Sequence, residues 1–284
     1  VDSGYTKFVM SEEEFRLLRD FIYENSGIYF SDNKKDLLET RLSLRLKANK
    51  LKDYKEYYYM LRYGQQQSRE IKALYDSVST NETSFFRSPP QIQALQEYAL
   101  PDVVNNRLGR GEKVLRMWSA GCSTGEEPYT MAIVIKEVLK EKFPEWDVKI
   151  LASDISERAL SSARRAEYNS YSLRSMPDEL KHKYFENSGN TYRIKDEIKK
   201  LVELQYLNFA DSKRVGLMRG FDIVFCRNVL IYFDDVLRKR FVSQLYDSLI
   251  PRGYLFIGHS ESLHNITRAF KLVHFPGALA YKKE

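Results

Sequence analysis

The chain has 284 residues, 43% apolar and 30% charged, which is enough to bury a sizeable core and points to one medium domain plus a smaller one. A formal net charge of +6 permits an acidic partner without requiring nucleic acid. Two distant cysteines, Cys122 and Cys226, exclude a disulfide framework and, with no N-terminal signal pattern and no long apolar run, point to a reducing, cytoplasmic setting.

Ser11-Glu12-Glu13-Glu14 is a capping-box signature, and Phe15, Leu18 and Ile22 follow at helical spacing until Gly27. Further helices are predicted over residues 32–49, 54–63 and 68–78, making a helical domain of residues 1–80. Residues 1–30 carry three basic and six acidic side chains, whereas 31–62 carry nine and five, so the second segment is the candidate contact surface. On its helix Lys34, Arg41 and Arg45 share one face, a stripe that suits an acidic partner helix or is simply a solvated basic face. Residues 81–90 then form a linker whose STNETSFFR run (79–87) makes a poor helix interior and a good ligand-contact loop.

In residues 91–284 strands alternate with helices. VLRMWSA (114–120) suits a buried strand, and Gly121 and Gly125 in the GCSTGEEP turn let the backbone come close to a ligand. A helix beginning near Pro128 leads to a second strand (148–152) that ends near Asp154, whose carboxylate is placed for a ribose diol. A helix over 156–166 precedes an extra segment at about 168–200, too long for an ordinary loop and predicted to form a small subdomain. Strands at 202–207, 221–226 and 254–258, a helix at 234–249 and a terminal hairpin (270–275 and 278–282) complete an α/β pattern. It predicts a mainly parallel sheet with helices on both faces and an antiparallel C-terminal edge.

The turn lacks G-x-G-x-x-G, and Asp154 lies farther from the glycines than the roughly 20 residues of a dinucleotide fingerprint. Glu126 and Glu127 disfavour a pyrophosphate at that helix N-terminus and suit a cationic or neutral ligand, or merely complement the helix dipole. Ligands of open parallel sheets bind beyond the strands' carboxyl ends. Those ends present Gly121 to Glu126, Asp154, Asn208-Phe209 and Arg227-Asn228-Val229. Asn208 and Asn228 are also ordinary turn caps, while Arg227 leaving a buried strand needs an anionic partner. Tyr232 and Phe233 either join the site or pack. Cys122 and Cys226 are expected to border it, where a ligand would shield them from alkylation. No metal spacing is present, and His259 and His264 read as structural histidines.

Six ordered motifs now coincide: STNETSFFR (79–87), WSAGCSTGEEPY (118–129), SDI (153–155), LNFAD (207–211), FDIVFCRNVLIYF (221–233) and GYLFIGHSE (253–261). With them the chain strongly resembles, over nearly its whole length, the CheR family of chemotaxis receptor methyltransferases, which methylate receptor glutamates using S-adenosylmethionine. The resemblance implies a Rossmann-like methyltransferase domain, an all-α N-terminal domain that helps recognise the receptor, and an inserted antiparallel β-subdomain. It implies cofactor contacts at Asn81, Thr83, Arg87, Glu126, Asp154, Asn208, Phe209, Asn228 and Val229, to which the turn adds Gly121. Arg87 and Tyr232 are implied to lie near the transferring methyl. Family members that dock on a receptor's C-terminal tethering pentapeptide carry an extended glycine-containing loop in the subdomain. FENSGNTY (185–192) is short, so independence of a tether is expected.

A glutamate is already ionised near neutral pH, so attack on a sulfonium methyl needs no general base and depends on alignment and exclusion of water. Arg87 or Arg227 is expected to orient the substrate carboxylate, Tyr232 to shape the methyl pocket, and Lys34, Arg41 and Arg45 to meet the helical cytoplasmic domain of a membrane receptor. A monomer without nucleic-acid contact or membrane insertion is expected. The alternatives are a nucleic-acid methyltransferase, against which stand the CRNV turn and the lack of a basic-aromatic patch, and a non-catalytic cofactor-binding signalling module.

Overall fold

The computed structural model describes residues 8–65 and 67–284. Two compact units emerge: the chain up to Thr80 with Tyr232–Asp234, and Asn81–Ile231 with Asp235–Glu284.

The first unit is helical. Helix α1 (Glu12–Ser26) forms the capping box, with the Ser11 hydroxyl accepting from Glu14 N at 3.2 Å and Glu14 Oε2 accepting from Ser11 N at 2.8 Å. After α1, a 3₁₀ turn (Asp32–Lys34) leads into α2 (Lys35–Asn49), followed by α3 (Tyr54–Tyr63) and α4 (Gln67–Val78). Leu38, Leu42 and Leu46 form the buried stripe of α2. Behind them the buried Glu70 on α4 accepts Arg45 Nε at 2.8 Å and Nη2 at 2.6 Å, and the Tyr57 hydroxyl at 2.9 Å. The segment after the fourth predicted strand also belongs here: Tyr29 N donates to Tyr232 O at 2.9 Å, and the Tyr23 hydroxyl to Asp234 Oδ2 at 2.7 Å.

The second unit begins with helices the sequence reading omitted: α5 (Pro89–Ala94), a π turn (Leu95–Ala99) and α6 (Leu100–Leu108). Pro101, with no N–H to donate, follows the π turn, where the regular helical ladder is interrupted. Then come β1 (Val114–Ala120), α7 (Glu126–Leu139), β2 (Asp147–Asp154), α8 (Glu157–Arg165), β3 (Glu167–Tyr168), α9 (Asp178–Tyr184), β4 (Phe185–Ser188), β5 (Thr191–Ile194) and α10 (Asp196–Lys199). The rest is β6 (Val202–Tyr206), α11 (Ser212–Val215), β7 (Phe221–Cys226), α12 (Asp235–Ser248), β8 (Leu249–Ile257), β9 (Phe270–Phe275) and β10 (Ala278–Lys283).

Seven strands order as β6-β2-β1-β7-β8-β10-β9, parallel from β6 to β8 and antiparallel through the terminal hairpin. The chain steps outward from β1 to β2 and β6, then returns to the other side of β1 with β7. The switch point therefore lies between β1 and β7. Strand β8 is longer than expected: Pro251-Arg252-Gly253, which resembles a turn, is a bulge with Arg252 at φ 69°, and the register against β7 jumps there. The extra segment contains a second sheet, β3-β5-β4, all antiparallel. Below the main sheet, the fully buried Asp222 accepts Arg107 Nε at 2.7 Å and Arg116 N at 2.8 Å, tying α6 to the starts of β1 and β7.

Candidate cofactor site at the strand ends

The turn after β1 is held by its neighbour strand. Gly121 N and Cys122 N both donate to Ser153 O, at 2.8 and 3.0 Å, and Ser123 N donates to Asp154 Oδ2 at 2.8 Å. The other oxygen of Asp154 accepts Ser156 N at 2.9 Å. Gly121 has φ 84°, and a Cβ there would stand 2.4 Å from Val229 Cγ2, so only glycine lets the turn pack against the segment leaving β7. Val229 is itself buried, and Asn228 beside it takes a left-handed φ of 59°.

The polar linker is fastened to the same unit at four points. Asn81 O accepts the Ser123 hydroxyl at 3.0 Å, Phe85 N donates to Ser172 O at 2.9 Å, and Phe86 N donates to Thr130 Oγ1 at 3.1 Å. The fourth is Arg87 O, which accepts Arg227 Nη2 at 2.7 Å. The Phe85 ring sits edge-on to Tyr168 and Phe185 of the small sheet, with centroids 4.8 and 5.1 Å away. Asn81, Thr83 and Arg87 are half-buried, and Arg87 Nη1 donates to Glu82 O at 3.0 Å.

Two adjacent acids are both raised by burial but differ in their partners. Glu126 is 3% exposed and accepts the Thr124 hydroxyl at 2.6 Å; burial, only partly offset by that bond, pushes its carboxyl above the usual glutamate value. Burial also raises Glu127, against the opposing pull of Arg227, whose Nη1 lies 3.3 Å away. The Ser119 hydroxyl donates to Glu127 at 2.7 Å. The Arg227 side chain is 3% exposed, and its Nε is buried without a hydrogen-bond partner. Arg227 thus has its anionic partner inside the protein, a link spanning 100 residues that no local pattern announces.

On β6's side, Asn208 Oδ1 accepts Ala210 N at 2.9 Å in a local turn, and the buried Phe209 stacks on Phe241 at 4.5 Å between centroids. Gly121, Glu126, Asp154, Asn208, Phe209, Arg227, Asn228 and Val229 all belong to the second unit with the linker residues. Tyr232 belongs to the first, as do Lys34, Arg41 and Arg45. Lys34 is exposed. Arg41, in contrast, donates to Val78 O and to Thr80 Oγ1, and Arg45 is committed to Glu70, so two of the three stripe cations have internal partners. Both cysteines are buried, and burial pushes both thiols up. His259 and His264 are exposed. Among the described residues no cluster of side chains could hold a metal ion, and no helix is long and apolar enough to cross a membrane.

A switch point lined by two buried acids, with a polar loop laid across the strand ends, defines a nucleoside-binding α/β fold whose donor set suits a cation and a diol more than phosphates. That is the class of S-adenosylmethionine-dependent methyltransferases. The family described as CheR methyltransferase, SAM binding domain, matches residues 81–278, and CheR methyltransferase, all-alpha domain, matches 13–79. Chemotaxis protein methyltransferase 2 of Vibrio cholerae is 33% identical over 98% of this chain and 95% of its own. The chemotaxis protein methyltransferase of Borreliella burgdorferi is 36% identical over 96% and 95%, and that of Salmonella typhimurium 35% over 94% and 89%. The chain belongs to the CheR methyltransferase family, and its cofactor is S-adenosylmethionine.

The residues fit that group: two acids, Glu126 and Asp154, are buried at the strand ends, and burial raises the Glu126 carboxyl although Thr124 and the charge of Arg174 oppose it, so an added positive charge there would favour its ionised form. With its folded value raised, Glu126 stabilises the empty protein below the ordinary carboxylate range, and that contribution is lost as pH rises through the raised value. A bound cation favours the ionised form. Titration calorimetry should therefore show affinity for S-adenosylmethionine rising with pH across the mildly acidic range, and Glu126→Gln should flatten that rise; the same slope in both proteins would place the cation elsewhere.

Proposed function

We propose that this chain transfers a methyl group from S-adenosylmethionine to side-chain carboxylates of specific glutamates in the helical cytoplasmic domain of chemotaxis receptors, forming methyl esters. The observation that carries this reading is the match of both halves, the all-α and the cofactor domain, to relatives named chemotaxis protein methyltransferase across nearly their full length. In this reading residues 1–80 recognise the receptor, 81–90 supply cofactor contacts and 91–284 carry the reaction, with the small subdomain at about 168–200 inserted. The protein acts in the cytoplasm as a monomer.

When bound, the cofactor supplies a methyl group on a positively charged sulfur. Asp154 is proposed to take the ribose hydroxyls and Glu126 a positive charge. Asn81, Thr83, Arg87, Gly121, Asn208, Phe209, Asn228 and Val229 complete the contacts. The incoming glutamate is ionised at neutral pH, so the protein has to align it rather than deprotonate it. Arg87 suits that task better than Arg227: Arg87 is half-exposed and its bond goes to a neutral carbonyl, while Arg227 is buried against Glu127. An arginine already neutralised by a resident carboxylate has little left for a second one. Arg227 is proposed to hold the linker at Arg87 O, and Tyr232 to shape the methyl site. For the receptor helix, Lys34 is proposed as the primary contact, with Arg41 and Arg45 offering whatever charge their internal bonds leave.

Incubation with receptor membranes and labelled cofactor should yield base-labile methyl, the mark of a carboxyl ester. Arg87→Ala should lower that turnover by about 100-fold, the order expected when a reacting group is misaligned, with a far smaller loss of cofactor affinity. Base-stable label would remove the glutamate assignment, and matching losses of turnover and affinity would make Arg87 a binding residue only.

Independence of a pentapeptide tether is supported by the hairpin of β4 and β5, whose turn is only Gly189-Asn190 between the paired Ser188 and Thr191. A receptor C-terminal pentapeptide titrated into the protein should give no specific binding heat. A saturable complex would overturn this reading.

A further inference from the structure

Glu261 lies in the loop after β8 and gathers three backbone donors on one carboxylate. Asn228 N donates to its Oε2 at 2.8 Å and Gly258 N at 2.6 Å, while Ile231 N reaches Oε1 at 3.3 Å. Two of these amides follow β7 and one follows β8. The ladder between those strands last pairs Cys226 with Ile257, so the carboxylate ties the two strand ends together just beyond the point where the sheet stops doing so.

What it ties is a left-handed turn. Asn228 sits at φ 59°, a conformation that asparagine enters more readily than most residues with a Cβ and that the neighbouring contacts hold in place here. The space is closed from the other side as well: a Cβ at Gly258 would lie 2.7 Å from Glu261 Oε2 and 2.9 Å from Asn228 N. Next to Asn228, Val229 is the residue against which Gly121 packs without room for a Cβ. The bracket, the left-handed residue and the turn after β1 form one continuous set of contacts.

We propose that Glu261 is a positioning residue for the cofactor, holding Asn228 and Val229, and through them the Gly121 turn, in the conformation that meets the ligand. The inference rests on reading these strand ends as the cofactor site. Its chemistry calls for an acid. An ionised carboxylate accepts at both oxygens, whereas the amide of glutamine must turn an NH₂ donor towards one of the backbone N–H groups. A carboxylate that merely anchored a surface loop would influence stability and leave affinity alone.

The test is titration calorimetry of S-adenosylhomocysteine with the full chain and its Glu261→Gln, Glu261→Asp and Gly258→Ala variants, with melting curves in the same buffer. Glu261→Gln should weaken binding about tenfold or more at 25 °C, comparable to losing one charge-assisted hydrogen bond, while the protein stays folded. Gly258→Ala, which leaves the carboxylate intact and crowds it, should weaken binding in the same direction. Glu261→Asp should recover part of the loss. Wild-type affinity in both Glu261→Gln and Gly258→Ala, with only the melting temperature lowered, would reduce Glu261 to a loop staple and overturn the proposal. Should Glu261→Gln fail to fold, Gly258→Ala decides alone by the same criterion. If the unaltered chain does not bind S-adenosylhomocysteine, the cofactor reading fails first and takes this inference with it.

Discussion

The parallel pairing of β1 with β2 continues past the end of the sheet. Where the last ladder pair joins Ala120 to Ser153, the next two amides, Gly121 N and Cys122 N, converge on Ser153 O, and Ser123 N closes on the Asp154 carboxylate. This short run of bonds sets the turn's path, and the turn's path sets where α7 begins and where Glu126 is buried. Asp154 uses one oxygen for Ser123 and the other for Ser156, so the acid proposed for the ribose is also the acid that fixes the two loops around it. An ionised carboxylate has about four acceptor positions, so both tasks are compatible. The turn is thus held by backbone amides that converge on Ser153 O and the Asp154 carboxylate.

Around that frame the protein keeps its charges apart by burial. Glu127 and Arg227 neutralise one another in the interior, with Ser119 and the carbonyl of Arg87 as further partners. Such a pair adds little net stability, because desolvation offsets most of its attraction, but it fixes geometry. Here the geometry concerns the linker, whose backbone is held at Asn81, Phe85, Phe86 and Arg87. Glu126, one residue earlier, is also raised by burial but has the Thr124 hydroxyl rather than an arginine as its hydrogen-bond partner.

Much of this was legible in the sequence, because much of it is local. The capping box of α1, the apolar run of β1, the glycine turn and β7 are written in neighbouring residues, and their boundaries agree with the structure to within a residue or two. The helices from Pro89 to Leu108 were not read, since the prolines and the π turn interrupt their period. The bulge in β8 was not read either, because Pro251-Arg252-Gly253 carries the composition of a turn. Ionic partners were the least visible. The spacing of Arg41 and Arg45 shows that they share a face, but not that Glu70, 25 residues beyond Arg45, waits opposite. Glu261 stood in plain sight inside a motif, yet its role depends on amides up to 33 residues away that only the folded sheet brings near.

In the proposed function the acids at the strand ends, rather than the glycines alone, define what this fold binds. A crystal structure of the protein with S-adenosylhomocysteine tests it most directly. Density should run across the ends of β1, β2 and β7, with the ribose hydroxyls on Asp154 and the amino group on the side of Glu126. A ligand seated away from Asp154, or one whose ribose is held by other residues, would contradict it.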